Sequence, residues 1–300
     1  MSLLVLFIVA ALLIVAALVA GLVRKLTKPP RRTYGVALAS DLPLAPGDLG
    51  LAGVELSLQL PEAAGDGGMG YASPGWRVEG GDPAGPVVVV THGYGDARYG
   101  ALQWAGVLRA AASAVVVYDL RGHGDSAAPT FHGGLTEPRD LVAILDQLDA
   151  ARVVLFGYSL GAGVSIVAAA LDAEAGRSRV VGVIADGPYR HWDEPVRRLL
   201  RLRRWPAWPV VPLTYGVLRW RRPEMARFDR AAWAAKLRCP LLVLHAGEDE
   251  LCPLESARAI ASAAPRGSIE VFEGMSHLEP VGAQTQRYAE VVAAFVRGLE

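Results

Sequence analysis

An α/β domain with a mostly parallel sheet and helices on both faces is predicted for this chain of 300 residues by the order of its apolar segments. Short, continuous, β-branched runs alternate with helical segments, and strands that alternate with helices form parallel sheets buried on both faces. The rhythm breaks once, between about 188 and 237, where an Arg- and Trp-rich stretch offers helices and no buried strand. At the other end, Leu3 to Val23 carries no charge, and at about 1.5 Å per residue this run matches the roughly 30 Å hydrocarbon core of a bilayer.

Residues 1–23 are therefore expected to form a single transmembrane anchor. A cleaved signal peptide is the alternative, but no basic residue precedes the apolar run, and the run is longer than an ordinary signal core. Arg24, Lys25, Lys28, Arg31 and Arg32 follow it at once, so the rule that positive charge stays inside places the remaining chain in the cytoplasm, beneath the cell membrane. The two cysteines, Cys239 and Cys252, read as buried small hydrophobes and agree with a reducing compartment. Residues 24–50, rich in basic residues, Pro and Gly without a period, read as a linker, and 51–300 as one folded domain.

Within that domain VELSLQL (54–60) alternates as a half-buried strand, and EAAGDGGMGYASPG (62–75) reads as a glycine-rich loop. Buried strands are expected in VVVVTHG (87–93), AVVVYDL (114–120), RVVLFG (152–157), VVGVIADG (180–187), PLLVLHAG (240–247) and SIEVF (268–272). Helices are expected over 97–112, 136–150, 160–173, 253–264 and 284–299. The 188–237 insertion leaves the sheet at the carboxyl end of one strand, above the crevice where open α/β sheets bind ligands. Two readings fit it: a packed helical cap with a solvated basic face, or a lid whose Arg and Trp residues meet an anionic membrane surface. The formal charge is zero, so no global field draws the chain to nucleic acid.

Chemistry enters with FGYSLGAG (156–163). Gly157 and Gly161 flank Ser159 two residues away on either side, between a strand and a helix. In that turn the serine adopts a strained backbone that lifts its Oγ, and side chains at the flanking positions would collide. A phosphate-cradling loop fits less well, because GAGVSI lacks the third glycine of such a fingerprint and no GxxxxGK[ST] occurs. A serine hydroxyl needs a base and an orienting acid. Of six histidines, His92, His123 and His132 precede the serine, His191 lies in the insertion and His245 inside a strand. His277, in GMSHLEP after the last strand, remains as the base.

For the acid, HAGEDELCP offers Glu248, Asp249 and Glu250, and Asp249 is preferred because Gly247 turns the chain ahead of it and Pro253 opens the next helix. Asp186, in IADGP, competes. The backbone N–H groups of Tyr94, in THGYGD, and of Leu160, just after Ser159, would form an oxyanion hole. His92 then shapes the turn, the Tyr94 ring walls the pocket, and Gly163 serves helix packing. Neither a metal nor a cofactor is called for.

The set THGYGD, YDLRGHGDS (118–126), FGYSLGAG, HAGEDELCP and GMSH resembles the α/β-hydrolase superfamily, and within it the serine aminopeptidases, monoacylglycerol lipases and membrane-anchored BEM46-like hydrolases. The resemblance covers roughly 54–300. It implies an α/β-hydrolase fold, Ser159, Asp249 and His277 as a catalytic triad, and Tyr94 and Leu160 as oxyanion donors. It further implies a serine hydrolase acting on a small-molecule or lipid-like ester or thioester, with aminopeptidase-like or acyl-transfer chemistry, or a non-catalytic binding role, as the alternatives. Serine at the elbow argues against relatives that use aspartate or cysteine there. The arginine and aspartate of DLRGHGDS are expected to tie loops together and not to hold a metal.

Overall fold

A computed structural model of the chain describes residues 2–62, 70–204 and 207–299, with backbone only at 226 and 227. The helix α1 (Leu3–Thr27) and a short α2 (Tyr34–Ala39) precede the domain. There follow β1 (Gly53–Leu60), β2 (Tyr71–Glu79), β3 (Val87–Thr91), α3 (Arg98–Leu108), β4 (Ala114–Tyr118), α4 (Glu137–Leu145), β5 (Val153–Tyr158), α5 (Leu160–Glu174) and β6 (Val180–Asp186). The insertion holds α6 (Glu194–Leu202), α7 (Val210–Arg221) and α8 (Arg230–Ala234). The chain closes with β7 (Leu241–Ala246), α9 (Leu254–Ala263), β8 (Gly267–Phe272), α10 (Pro280–Ala283) and α11 (Thr285–Arg297).

The sheet has eight strands in the order β1-β2-β4-β3-β5-β6-β7-β8. From β4 to β8 every pairing is parallel, whereas β2 runs antiparallel to both β1 and β4. The parallel character follows from Val88, Val89, Val90, Val115, Val116 and Val117, all fully buried, which leave no face of these strands for water. Alternate residues feed two cores. Val89, Val116 and Leu155 pack with α4, α5, α8 and α9 on one face, and Val88, Val117, Val154 and Phe156 with α3 and α11 on the other. Burying one such side chain contributes about 1.5–3 kcal/mol, so the double-sided sheet dominates the stability of the site it carries.

One expectation is corrected. The stretch 62–75 is not a single loop: residues 63–69 lie outside the described residues, but 71–79 form β2, paired residue for residue with β1. Pro74 and Gly75 mask the strand in the sequence. Pro74 still accepts from the Asp119 N–H through its carbonyl, at 3.1 Å, and Gly75 is required because a Cβ there would sit 2.6 Å from the Val117 carbonyl oxygen.

The basic segment after α1 lies along the domain. Arg31 donates to the carbonyls of Ser126 and Ala128 at 2.8 and 2.6 Å, and Arg32 pairs with Asp96 at 2.6 Å.

Candidate active site

The parallel strands β5, β6 and β7 end side by side, and the loops that leave them gather the candidate residues. Ser159 sits between β5 and α5 at φ +53°, in the region that L side chains rarely occupy. Its N–H donates to the Asp186 carbonyl at 2.8 Å, which pins the turn to the end of β6. The flanking glycines are sterically required. A Cβ on Gly157 would lie 2.1 Å from the Gly161 carbonyl oxygen, and one on Gly161 would lie 1.9 Å from the Thr91 oxygen. Gly163 answers to a different neighbour, since a Cβ there would meet Arg230 Nε at 1.9 Å.

His277 occupies the loop between β8 and α10, and its Nδ1 donates to Asp249 Oδ2 at 2.5 Å. That bond leaves Nε2 as the ring's free acceptor, the state a base requires. The other carboxylate oxygen, Oδ1, accepts the N–H groups of Leu251 and Cys252 at 2.8 and 2.7 Å. Burial alone would raise the Asp249 carboxyl, but the His277 hydrogen bond and charge, with those two N–H groups, outweigh it and hold the pKa below the ordinary value. Asp186, the competing acid, accepts instead from the Tyr288 hydroxyl at 2.7 Å. Burial raises its pKa to about 6.

The turn after β3 is fixed by His92. Its Nε2 accepts from the Leu120 N–H at 2.9 Å, so Nδ1 carries the proton and donates to the Gly93 carbonyl at 2.8 Å. Burial holds this imidazole neutral by lowering its pKa. Tyr94 follows in that turn, and among the described residues no carbonyl accepts from the backbone N–H of Tyr94 or of Leu160. Tyr94 also sends its hydroxyl to the Lys25 carbonyl of α1. In DLRGHGDS, Arg121 grips Asp140 through two bonds of 2.8 Å and Asp119 meets Arg98, so both charges tie loops together.

Ser159, Leu160, Tyr94 and His277 all line one cavity of about 470 Å³. Its remaining walls are mostly apolar and include Trp192, Val196, Leu199 and Leu218 of the insertion, Leu22 and Leu26 of α1, and Phe131, Leu251 and Leu278 of the domain loops.

Residues 87–294 match the alpha/beta hydrolase family. This chain belongs to that family. An uncharacterized protein of Bacillus subtilis is 29% identical over 153 residues, which are 49% of each chain, and one of Mycobacterium tuberculosis is 26% identical over 202 residues, 66% of this chain and 64% of that one. The chain thus spans about half to two thirds of the length of these curated relatives. Among solved structures, an esterase of Pyrococcus furiosus superposes with a TM-score of 0.68 at 18% identity, covering 90% of this chain and 97% of its own. A membrane phospholipase A, described as a bacterial virulence factor, superposes at 0.62 and 19% identity, covering 97% and 99%. At such identities the likeness is one of fold.

Four further residues of this α/β hydrolase reach the site without a signal in the sequence. Gly187 takes φ +57°, and a Cβ there would press on the His277 ring at 3.0 Å. Leu278 takes φ +60°, which sets the direction of the loop that carries His277. Arg198, on α6, reaches the Asp249 carbonyl at 3.4 Å. Cys252 places its buried thiol against Ser159, within 4.8 Å of the Asp249 and His277 donor atoms. Within this trio His277 Nδ1 and Asp249 Oδ2 are bonded to each other at 2.5 Å, and burial pushes the thiol well above its ordinary pKa.

Proposed function

We propose that this chain is a membrane-tethered serine hydrolase that cleaves a carboxylic ester or thioester through an acyl-Ser159 intermediate. The observation that carries the reading is the coincidence, on one apolar cavity, of a serine at φ +53° and a histidine bound to a buried carboxylate at 2.5 Å. In the first half-reaction Ser159 Oγ attacks the substrate carbonyl carbon while His277 Nε2 takes the hydroxyl proton. The imidazolium so formed is stabilised by Asp249, whose carboxylate is already ionised and oriented. The N–H groups of Tyr94 and Leu160, which lack an acceptor among the described residues, would receive the negative charge that develops on the carbonyl oxygen. Collapse expels the alcohol or thiol with the proton from His277. Water then repeats the sequence on the acyl-enzyme, releasing the acid and restoring Ser159.

An amine-bearing peptide substrate would call for an acidic partner in the pocket. The acid that lines the cavity, Asp96, is occupied by Arg32 at 2.6 Å and by the Tyr158 hydroxyl at 2.7 Å, which favours ester cleavage over an aminopeptidase-like reaction. Retention of α1 as an anchor, against loss as a signal sequence, is favoured because Leu22, Lys25, Leu26 and Thr27 help to wall the cavity. The insertion takes the place of a lid, and the basic residues after α1 favour a cytoplasmic face. Hydrolysis of p-nitrophenyl esters by the full chain and by Ser159→Ala tests the proposal. Loss of turnover in the variant supports it, and equal rates would overturn it.

A further inference from the structure

The wall that α1 contributes to the cavity ends in its last, basic turn, and this turn makes the pocket electrostatically one-sided. Among the described residues four cations, Lys25, Arg32, Arg203 and Arg222, line the cavity, against one acid, Asp96. Arg32 is neutralised by Asp96 at 2.6 Å. Lys25, Arg203 and Arg222 have no carboxylate within ion-pair distance among the described residues, whereas two other arginines of the insertion do, Arg190 with Asp229 at 2.6 Å and Arg197 with Asp193 at 2.5 Å. Three uncompensated cations beside an apolar pocket attract an anion, and a guanidinium holds a phosphate through paired N–H bonds.

The surroundings say where that anion comes from. The apolar surface of α1 is almost wholly exposed, with Leu3, Leu4, Phe7, Leu12, Leu13 and Ile14 all uncovered. On the insertion that packs beside it, Trp208 and Trp220 are 79% and 81% exposed, and Leu202 and Leu213 are exposed as well. Leu213 and Trp220, seven residues apart on α7, share one stripe of that helix. Exposed tryptophans beside a spanning helix and a basic turn are the arrangement of a surface seated at the headgroup level of a bilayer.

We infer that the substrate is a phosphate-bearing acyl glycerolipid drawn from the adjoining leaflet, its acyl chain between α1 and the insertion and its phosphate on Lys25, Arg203 and Arg222. The inference rests on the serine-hydrolase reading and adds the substrate class. In the reaction, attack of Ser159 on the acyl carbonyl releases the glycerophosphate alcohol, which takes the proton from His277. Water then frees the fatty acid.

The test uses the full chain in vesicles of an ether-linked neutral glycolipid, which carries neither phosphate nor ester, with two probes of the same acyl chain, 1-acylglycerol 3-phosphate and 1-acylglycerol, and compares their kcat/KM. The phosphate probe is expected to lead by about tenfold or more, mainly through KM. Arg203→Gln with Arg222→Gln brings the ratio to about one, and Arg203→Lys with Arg222→Lys, which keeps the charge but not the paired N–H bonds, retains only part of it. A ratio that the Gln variant leaves unchanged, or a preference for 1-acylglycerol, overturns the inference. So does an arginine-dependent preference for a water-soluble acyl thioester of a phosphorylated thiol over the vesicle-borne phosphate probe, because the phosphate would then not come from the leaflet. Ser159-dependent turnover of p-nitrophenyl butyrate runs beside these assays: if it persists while the phosphate preference is missing, only the substrate class falls, and if it too is missing, the catalytic reading falls with it.

Discussion

Asp249 shows how much of a candidate catalytic residue can be read from its position and how much needs its neighbours. Its place after β7, and that of His277 after β8, were legible because a serine, an acid and a base must meet at one sheet edge. What chain order does not supply is the choice between Asp249 and Asp186, which the partners decide: His277 for one and the Tyr288 hydroxyl for the other. Gly187 and Leu278 were illegible, because a positive φ is a property of the folded loop and not of the residue. Replacing Asp249 with Asn should lower kcat by roughly 10⁴-fold with KM little changed, because the amide favours the wrong imidazole tautomer. Since the folded carboxyl is held below its ordinary pKa, the stabilisation it lends is complete at neutral pH and is lost only as pH falls through that lowered value. Gly161→Ala should cost on the order of 2 kcal/mol or more, read as a lower urea midpoint, because the new Cβ meets backbone at Thr91 that no rotamer can clear.

At the scale of elements, the continuous apolar strands were the easiest to find and β2 the hardest. Val88 to Val90 and Val115 to Val117 declare themselves by lacking any polar face. By contrast β2 carries Pro74 and Gly75 in its middle, and its outer neighbour β1 has mostly exposed side chains, so neither alternation nor a buried run marks it. The turn before α4 shows another effect hidden from sequence. Glu137 is fully buried and accepts the N–H groups of His132 and Gly134 at 2.6 and 2.9 Å, which fixes the loop bearing Phe131 and Gly133 against the cavity. Burial, reinforced by nearby Asp140, raises its pKa to about 7. A raised carboxyl pKa means that the folded state holds its proton longer than the unfolded state. Stability from this group is therefore greatest below about pH 4.5 and declines, on the order of a few kcal/mol, as pH rises to about 7. Urea midpoints between pH 5 and 8 check this: relative to the parent, Glu137→Gln should gain stability from pH 5 to about 7 and level off above it, and a constant difference would contradict the assignment.

At the scale of the whole molecule, the sequence marks α1 as a span and 24–50 as a linker, but period and composition say nothing of what a helix end touches. Arg31 and Arg32 bind the loops after β4 and β3, and Tyr94 reaches the last turn of α1, so α1 and the loops around the cavity form a continuous structure. This coupling follows from contacts between residues more than sixty positions apart, which no local pattern encodes. If the insertion rests at the headgroup level, lipids brominated near the glycerol should quench tryptophan emission of the reconstituted chain. Trp208→Phe with Trp220→Phe should remove most of that quenching. Unchanged quenching in the double variant would place the insertion away from the bilayer.

The central claim is that Ser159 becomes acylated. It is met most directly by treating the full chain with a fluorophosphonate and mapping the adduct by peptide mass spectrometry. The geometry of the elbow and of the His277–Asp249 pair predicts one adduct, on the peptide that contains Ser159, absent from Ser159→Ala and strongly reduced in His277→Ala. An adduct on another residue, or equal labelling of parent and Ser159→Ala, would contradict it.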